Sequence, residues 1–180
     1  MLMQREECCL VVIDVQEKMA PEITGRENIE KNISVLLQSA KQLQVPVLFT
    51  EQYPRGLGNT LEYIRELAPE SPVVEKMHFN TCQEESFLRE IENMGQRQIV
   101  LTGMEAHICV LQTALGLLQK GLDVFTVADG TGSRNPEHCR LALDRLALAG
   151  ISSVCTEMVL FEWLQKAGTP EFKQLSPLIK

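Results

Sequence analysis

Six short apolar runs recur along the chain: Cys9 to Asp14 (CLVVID), Val45 to Thr50 (VPVLFT), Pro72 to Lys76 (PVVEK), Gln98 to Gly103 (QIVLTG), Asp123 to Asp129 (DVFTVAD) and Ile151 to Thr156 (ISSVCT). Their apolar positions are nearly continuous rather than alternating, the mark of strands covered on both faces. Between the runs, apolar residues return at helical spacing. Ile29, Ile33, Leu36, Leu37, Ala40 and Leu43 share one stripe; Val110, Ala114, Leu117 and Leu118 share a second; Ala142, Leu146 and Ala149 share a third. Stripes of this period cover a sheet. Strand and helix alternating this often predict a doubly wound α/β fold, a parallel sheet between two helical layers.

No internal repeat, low-complexity tract or linker interrupts this pattern, so residues 1–180 read as one domain. The segment Glu51 to Gly58, with Pro54, Gly56 and Gly58, is a candidate pocket wall. After Gly168, Thr169-Pro170-Glu171 predicts the cap and first turn of a short last helix. Phe161 and Trp163, in a late apolar helix, read as core or subunit contact rather than a ligand cage.

Composition narrows the function classes. Of 180 residues, 44% are apolar and 23% charged, close to globular averages, so disorder is not the expectation. The formal net charge is -7 and no stretch is dominated by Lys and Arg, which argues against a nucleic-acid partner. No segment approaches the roughly 20 apolar residues of a membrane span, and the N-terminal residues lack a secretory pattern. A cytoplasmic protein acting on a small molecule is the expectation. Its cysteines are Cys8, Cys9, Cys82, Cys109, Cys139 and Cys155, with no C-x-x-C pair. Disulfides are rare in the cytosol, so these are core thiols unless one is specially placed.

Ligands of open parallel sheets bind beyond the carboxyl ends of the strands. Reactive groups at those ends are Asp14 after the first run, Lys76 after the third, and the segment Gly103 to Cys109 after the fourth. Cys109 stands where a helix begins. The free N–H groups and positive end of a helix favour a thiolate there, and neighbouring N–H groups could hold an oxyanion. Asp14 could take and return a proton; Lys76 could favour the charged forms of both partners. Taken singly, each has a plainer reading: a buried small residue, a turn carboxylate, a solvated strand-end charge. Jointly they form a candidate nucleophilic site. If the first and fourth strands are neighbours, Asp14 and Cys109 face one cleft.

Other motifs carry less. His107 is too near Cys109 in sequence for a dyad, because the two side chains diverge on a turn entering a helix. His78 and His138 have no metal-ligand spacing, and no metal site is expected. Gly56-Leu57-Gly58 lacks the third glycine of a dinucleotide loop. Gly130 to Arg134 could cradle an anion but reads as a plain loop.

At these residues the sequence resembles the isochorismatase-like cysteine hydrolases, a superfamily that includes nicotinamidases, and within it the isochorismatase domain-containing proteins. The anchors are VVIDVQEKM (Val11 to Met19), TEQYPRGLG (Thr50 to Gly58), VEKMHFN (Val74 to Asn80), TGMEAHICVLQTAL (Thr102 to Leu115), VADGTGSR (Val127 to Arg134) and TPEFKQL (Thr169 to Leu175). The resemblance implies a three-layer α/β/α sandwich with a six-stranded parallel sheet and a catalytic triad of Asp14, Lys76 and Cys109. It implies a cis peptide between Met104 and Glu105, and an oxyanion hole from the N–H groups of Glu105 and Cys109. Gln16 and Tyr53 are candidate substrate contacts by position. Homo-oligomers are common in the family, and no cofactor is implied. The loop after the second strand lacks the histidines of metal-dependent nicotinamidases. The chain also carries the cysteine that siderophore-pathway isochorismatases lack, which favours carbonyl over vinyl-ether chemistry. The expectation is an amide-type hydrolase working through a thioester. Its rivals are a vinyl-ether hydrolase of an isochorismate-like anion and a non-catalytic binding or scaffold module.

Overall fold

A computed structural model describes residues 1–179. Six strands form one all-parallel sheet: β1 (Cys8–Ile13), β2 (Val47–Gln52), β3 (Val73–Lys76), β4 (Gln98–Met104), β5 (Asp123–Gly132) and β6 (Ser152–Val154). Their spatial order is β3-β2-β1-β4-β5-β6. β1 therefore has β2 on one side and β4 on the other, and chain order reverses beside it. That reversal opens the crevice where such sheets bind ligands.

Among the described residues, eight α-helices accompany the strands: α1 (Arg26–Leu43), α2 (Pro54–Leu57), α3 (Glu62–Arg65), α4 (Glu85–Met94), α5 (Leu111–Gln119), α6 (Pro136–Leu148), α7 (Thr156–Leu164) and α8 (Pro170–Leu175). Side chains alternate across the sheet, and two cores result. Cys8, Leu10 and Val12 of β1 face α1, α7 and α8, packing with Ile33, Leu36, Trp163 and Leu175. Cys9, Val11 and Ile13 face α4, α5 and α6, with Phe87, Ala114, Leu117 and Leu146. All six residues of β1 are fully buried, which explains its unbroken apolar run. No helix among the described residues is long and apolar enough to cross a membrane.

The expected strands are all present, with shifted ends. β2 runs two residues past Thr50, pairing Glu51 with Glu75 and Gln52 with Lys76. β5 does not stop at Asp129. After a register shift opposite Leu101 and Gly103 it rejoins β4, pairing Thr131 with Gly103 and Gly132 with Met104. The expected loop at Gly130 to Arg134 is thus partly strand, tied down by β4 and unavailable as an anion cradle. The stripe on α6 is shorter than expected: Ala142 and Leu146 are buried, but Ala149 lies exposed just past the helix end. Thr169 caps α8 as expected, its hydroxyl accepting from the Phe172 N–H at 3.1 Å. Trp163 is core, whereas Phe161 stays partly exposed beside Phe172.

Candidate active site

β1 ends at Ile13, and Asp14 follows in the left-handed backbone region, at φ 52°. Asp tolerates that region better than most residues, and here it leaves the strand with a fully buried side chain. β4 passes unusually close alongside. Gly103 pairs with Ile13, and a Cβ on Gly103 would lie 2.0 Å from the Ile13 carbonyl oxygen. Only glycine permits that approach, which brings the following turn against Asp14. A cis peptide joins Met104 to Glu105, as the resemblance implied. A π-helical turn, Ala106–Val110, then carries Cys109 into α5. The Glu105 carbonyl closes this turn by accepting from the N–H groups of Ile108 and Val110.

Lys76, the last residue of β3, reaches across the end of β2 to Asp14. Its Nζ lies 2.7 Å from Asp14 Oδ2, and neither side chain is exposed. Charge holds the pair rather than an aligned hydrogen bond, since Oδ2 has no well-directed donor. Oδ1 does have one, the Thr50 hydroxyl at 2.6 Å. Lys76 Nζ also donates to Gln52 Oε1 at 2.7 Å and, at 3.4 Å, to the His78 carbonyl. The Cys109 thiol lies 4.0 Å from the same Gln52 oxygen.

Opposed influences act on the Cys109 thiol. Burial, then the negative charge of Asp14, push it up to about 12; Lys76 pulls the other way, and hydrogen bonds with Asp14 and Lys76 act in the same opposed senses. The helix end and Lys76, expected to favour the thiolate, are opposed here by burial and by Asp14. Cys109 sits inside the π-helical turn, only 4% exposed.

A cavity of about 260 Å³ opens onto Cys109. Met19, Leu57, Phe79 and Ile108 form its apolar walls, Gln52 lies beside the thiol, and Lys18, Glu22, Glu105 and Arg134 supply charge. Glu105 anchors Arg134, accepting from its main-chain N–H at 2.9 Å and its Nε at 3.2 Å. Neither Gln16 nor Tyr53 lines this cavity. Gln16 is fully buried, its amide bridging the Gln52 main chain and the Gly58 carbonyl. Tyr53 is half exposed, with its ring over Gly56. Gln16 shapes the wall from behind, and Tyr53 stands outside it. His107 turns away from Cys109 to Ser133, 2.9 Å off, and lies against His138. Burial lowers its pKa, and no Cys–His dyad forms.

The pattern in the sequence passed over Gln52, Thr50 and Phe79. The rule that selected Asp14 and Lys76, a polar group closing an apolar strand, applies equally to Gln52 once β2 is seen to end there. Among the described residues, no three His, Cys, Asp or Glu side chains cluster in a way that could hold a metal ion.

Comparison with known proteins agrees with this architecture. The Isochorismatase domain family matches residues 8–158. Isochorismatase domain-containing protein 1 of Salmo salar is 38% identical over 173 residues, covering 96% of this chain and 59% of its own length. The chain thus spans somewhat over half of that relative. Among solved structures, the MAR1 ribonuclease of Caenorhabditis elegans superposes with a TM-score of 0.93 at 31% identity, covering 99% of this chain and 92% of its own. The YcaC gene product of Escherichia coli, described as an octameric hydrolase of unknown specificity, gives 0.93 at 21% identity, covering 98% and 90%.

Proposed function

The chain belongs to the isochorismatase family, and from that premise we propose that it is a cysteine hydrolase of small amide-like carbonyl compounds, with Cys109 as nucleophile, Asp14 as proton carrier and Lys76 as their electrostatic partner. The observation that supports this reading is the buried Asp14–Lys76 pair acting on Cys109, which itself lines a small, largely apolar cavity. Burial and Asp14 push the thiol up, so its ionisation accompanies attack. Asp14 takes the S–H proton as sulfur bonds to the carbonyl carbon. The carbonyl electron pair moves to oxygen, where the N–H groups of Glu105 and Cys109 stabilise it. The intermediate collapses, the C–N bond breaks, and Asp14 returns the proton to the departing amine. Water then attacks the thioester, giving its proton to Asp14; the acid leaves, and the thiol regains that proton. Lys76 stays against the Asp14 carboxylate, 2.7 Å away, as its electrostatic partner.

The walls favour a substrate with a compact apolar body beside the reacting carbonyl. The ribonuclease activity named for the nematode relative finds less support here: the net charge is -7, and a cavity of about 260 Å³ is small for a nucleotide chain. Exposed Leu2, Met158 and Phe161, clustered along α7, give the chain an apolar surface suited to homo-oligomerisation. The test is ammonia or amine release from a panel of small amides, with an RNA oligomer and a vinyl ether alongside. The reading predicts amide turnover that vanishes in Cys109→Ala. Turnover of the vinyl ether or RNA that survives Cys109→Ala overturns it.

A further inference from the structure

Gln52 stands at the end of β2 between Lys76 and Cys109, and its orientation is not ambiguous. Its Nε2 lies 2.9 Å from the Met77 carbonyl, which can only accept, and its Oε1 lies 2.7 Å from Lys76 Nζ, which can only donate. The amide oxygen is therefore the end that faces the thiol. The main chain of Gln52 is fixed as well. Its N–H donates to Gln16 Oε1 at 2.7 Å and its carbonyl accepts from Gln16 Nε2 at 3.0 Å. A carbonyl-type oxygen held rigidly beside a sulfur suits S–H, which can donate to it, and opposes S⁻, which meets its lone pairs. The same oxygen takes one Nζ–H of Lys76, leaving less of the ammonium's donor capacity for the sulfur.

We infer that Gln52 is a positioning residue that directs Lys76 onto Asp14 and keeps the Cys109 thiol protonated in the resting site. This rests on the nucleophile reading above and adds to it the group that sets the resting proton. The charged groups around the thiol are Asp14 after β1, Lys76 on β3, Lys18 and Glu22 before α1, and the Glu105–Arg134 pair. Gln52 is the uncharged member that touches both the cation and the thiol.

The test is a thiolate titration, read as the ultraviolet absorbance lost when Cys109→Ala is introduced into each background. In Gln52→Leu the acceptor is gone and Lys76 can turn to sulfur. Its Cys109 ionisation should fall at least one pH unit below wild type, about tenfold more thiolate at a given pH. Gln52→Glu keeps an oxygen acceptor and adds negative charge, so its midpoint should be no lower than wild type. A merely structural role predicts loss of stability in both variants without these opposed shifts. An unmoved or raised midpoint in Gln52→Leu overturns the inference, as does a lowered one in Gln52→Glu. If Gln52→Leu does not fold, Gln52→Met takes its place with the same expected fall. Acyl trapping on wild-type Cys109 separates the two claims. If trapping fails, the nucleophile reading falls. If trapping succeeds with the midpoints unmoved, only the role of Gln52 falls.

Discussion

Lys76 Nζ stands 2.7 Å from Asp14 Oδ2, and neither side chain exposes any surface to solvent. Two opposite charges are thereby removed from water together, which is tolerable only while both are present. Replacing one partner alone, as in Asp14→Ala or Lys76→Met, leaves an uncompensated buried charge or an unpaired carboxylate. Each should cost about 3–5 kcal/mol of folding stability. The double variant should cost less than the two single losses added, read from denaturant midpoints at neutral pH.

Asp14→Asn separates the proton carrier from the thiol's ionisation. The carboxylate is one of the causes that hold Cys109 up near 12. Without it, the buried Lys76 ammonium has no anion except the one Cys109 can become. The thiol should then ionise at lower pH than in wild type, while amide turnover is lost because no group returns the proton to the amine. A variant that lowers the thiol's ionisation and still turns over normally would contradict the role given to Asp14.

Three fully buried thiols bear on alkaline stability. Burial pushes Cys8 up to about 11, and Cys9 and Cys109 up to about 12, from an ordinary value of 9.0. Their neutral forms are equally available to folded and unfolded chains below about pH 9, so stability there is undiminished. As pH rises from 9 toward 12 the unfolded chain loses these protons first, and stability falls. Denaturation curves should show this decline. Cys9→Ala, which lies away from the site, should make it shallower even though it lowers stability at neutral pH.

The cavity walls set the size of the acyl group. Ile108 and Leu57 line the cavity together with the thiol. Enlarging one, as in Leu57→Trp, should raise KM or abolish turnover for bulkier amides first. Truncating Ile108 to Ala should widen acceptance at the cost of kcat/KM for the smallest. A panel of amides graded by acyl length reads both, and a selectivity unchanged in both variants would place substrate elsewhere.

How far these features were legible in the sequence depends on what each rests on. Asp14 and Lys76 were singled out because each closes an apolar run where a parallel strand ends, and Cys109 because a helix begins there; the two-sided burial of β1 explains its unbroken run. Gln52 was not found. Its strand appeared to stop at Thr50, and the two further pairs with β3 are a matter of register that no local pattern carries. The resumption of β5 through Thr131 and Gly132 was missed for the same reason: small residues there look like a loop until β4 pairs with them. Gln16 was offered as a substrate contact by position, whereas its clamping of Gln52 and Gly58 shows only once side-chain direction is known. The forces on the thiol were hidden too, since motif spacing does not reveal how deeply Cys109 lies or which charges act on it.

The central claim is that Cys109 becomes acylated during turnover. It is tested most directly by mixing wild-type protein with an activated acyl donor small enough for the cavity, quenching in acid, and mapping the mass of each cysteine peptide. The account predicts one acyl group, on the peptide containing Cys109, that decays as product appears in the wild type and persists in Asp14→Asn. Product formation with Cys109 unmodified throughout, or undiminished in Cys109→Ala, would contradict it.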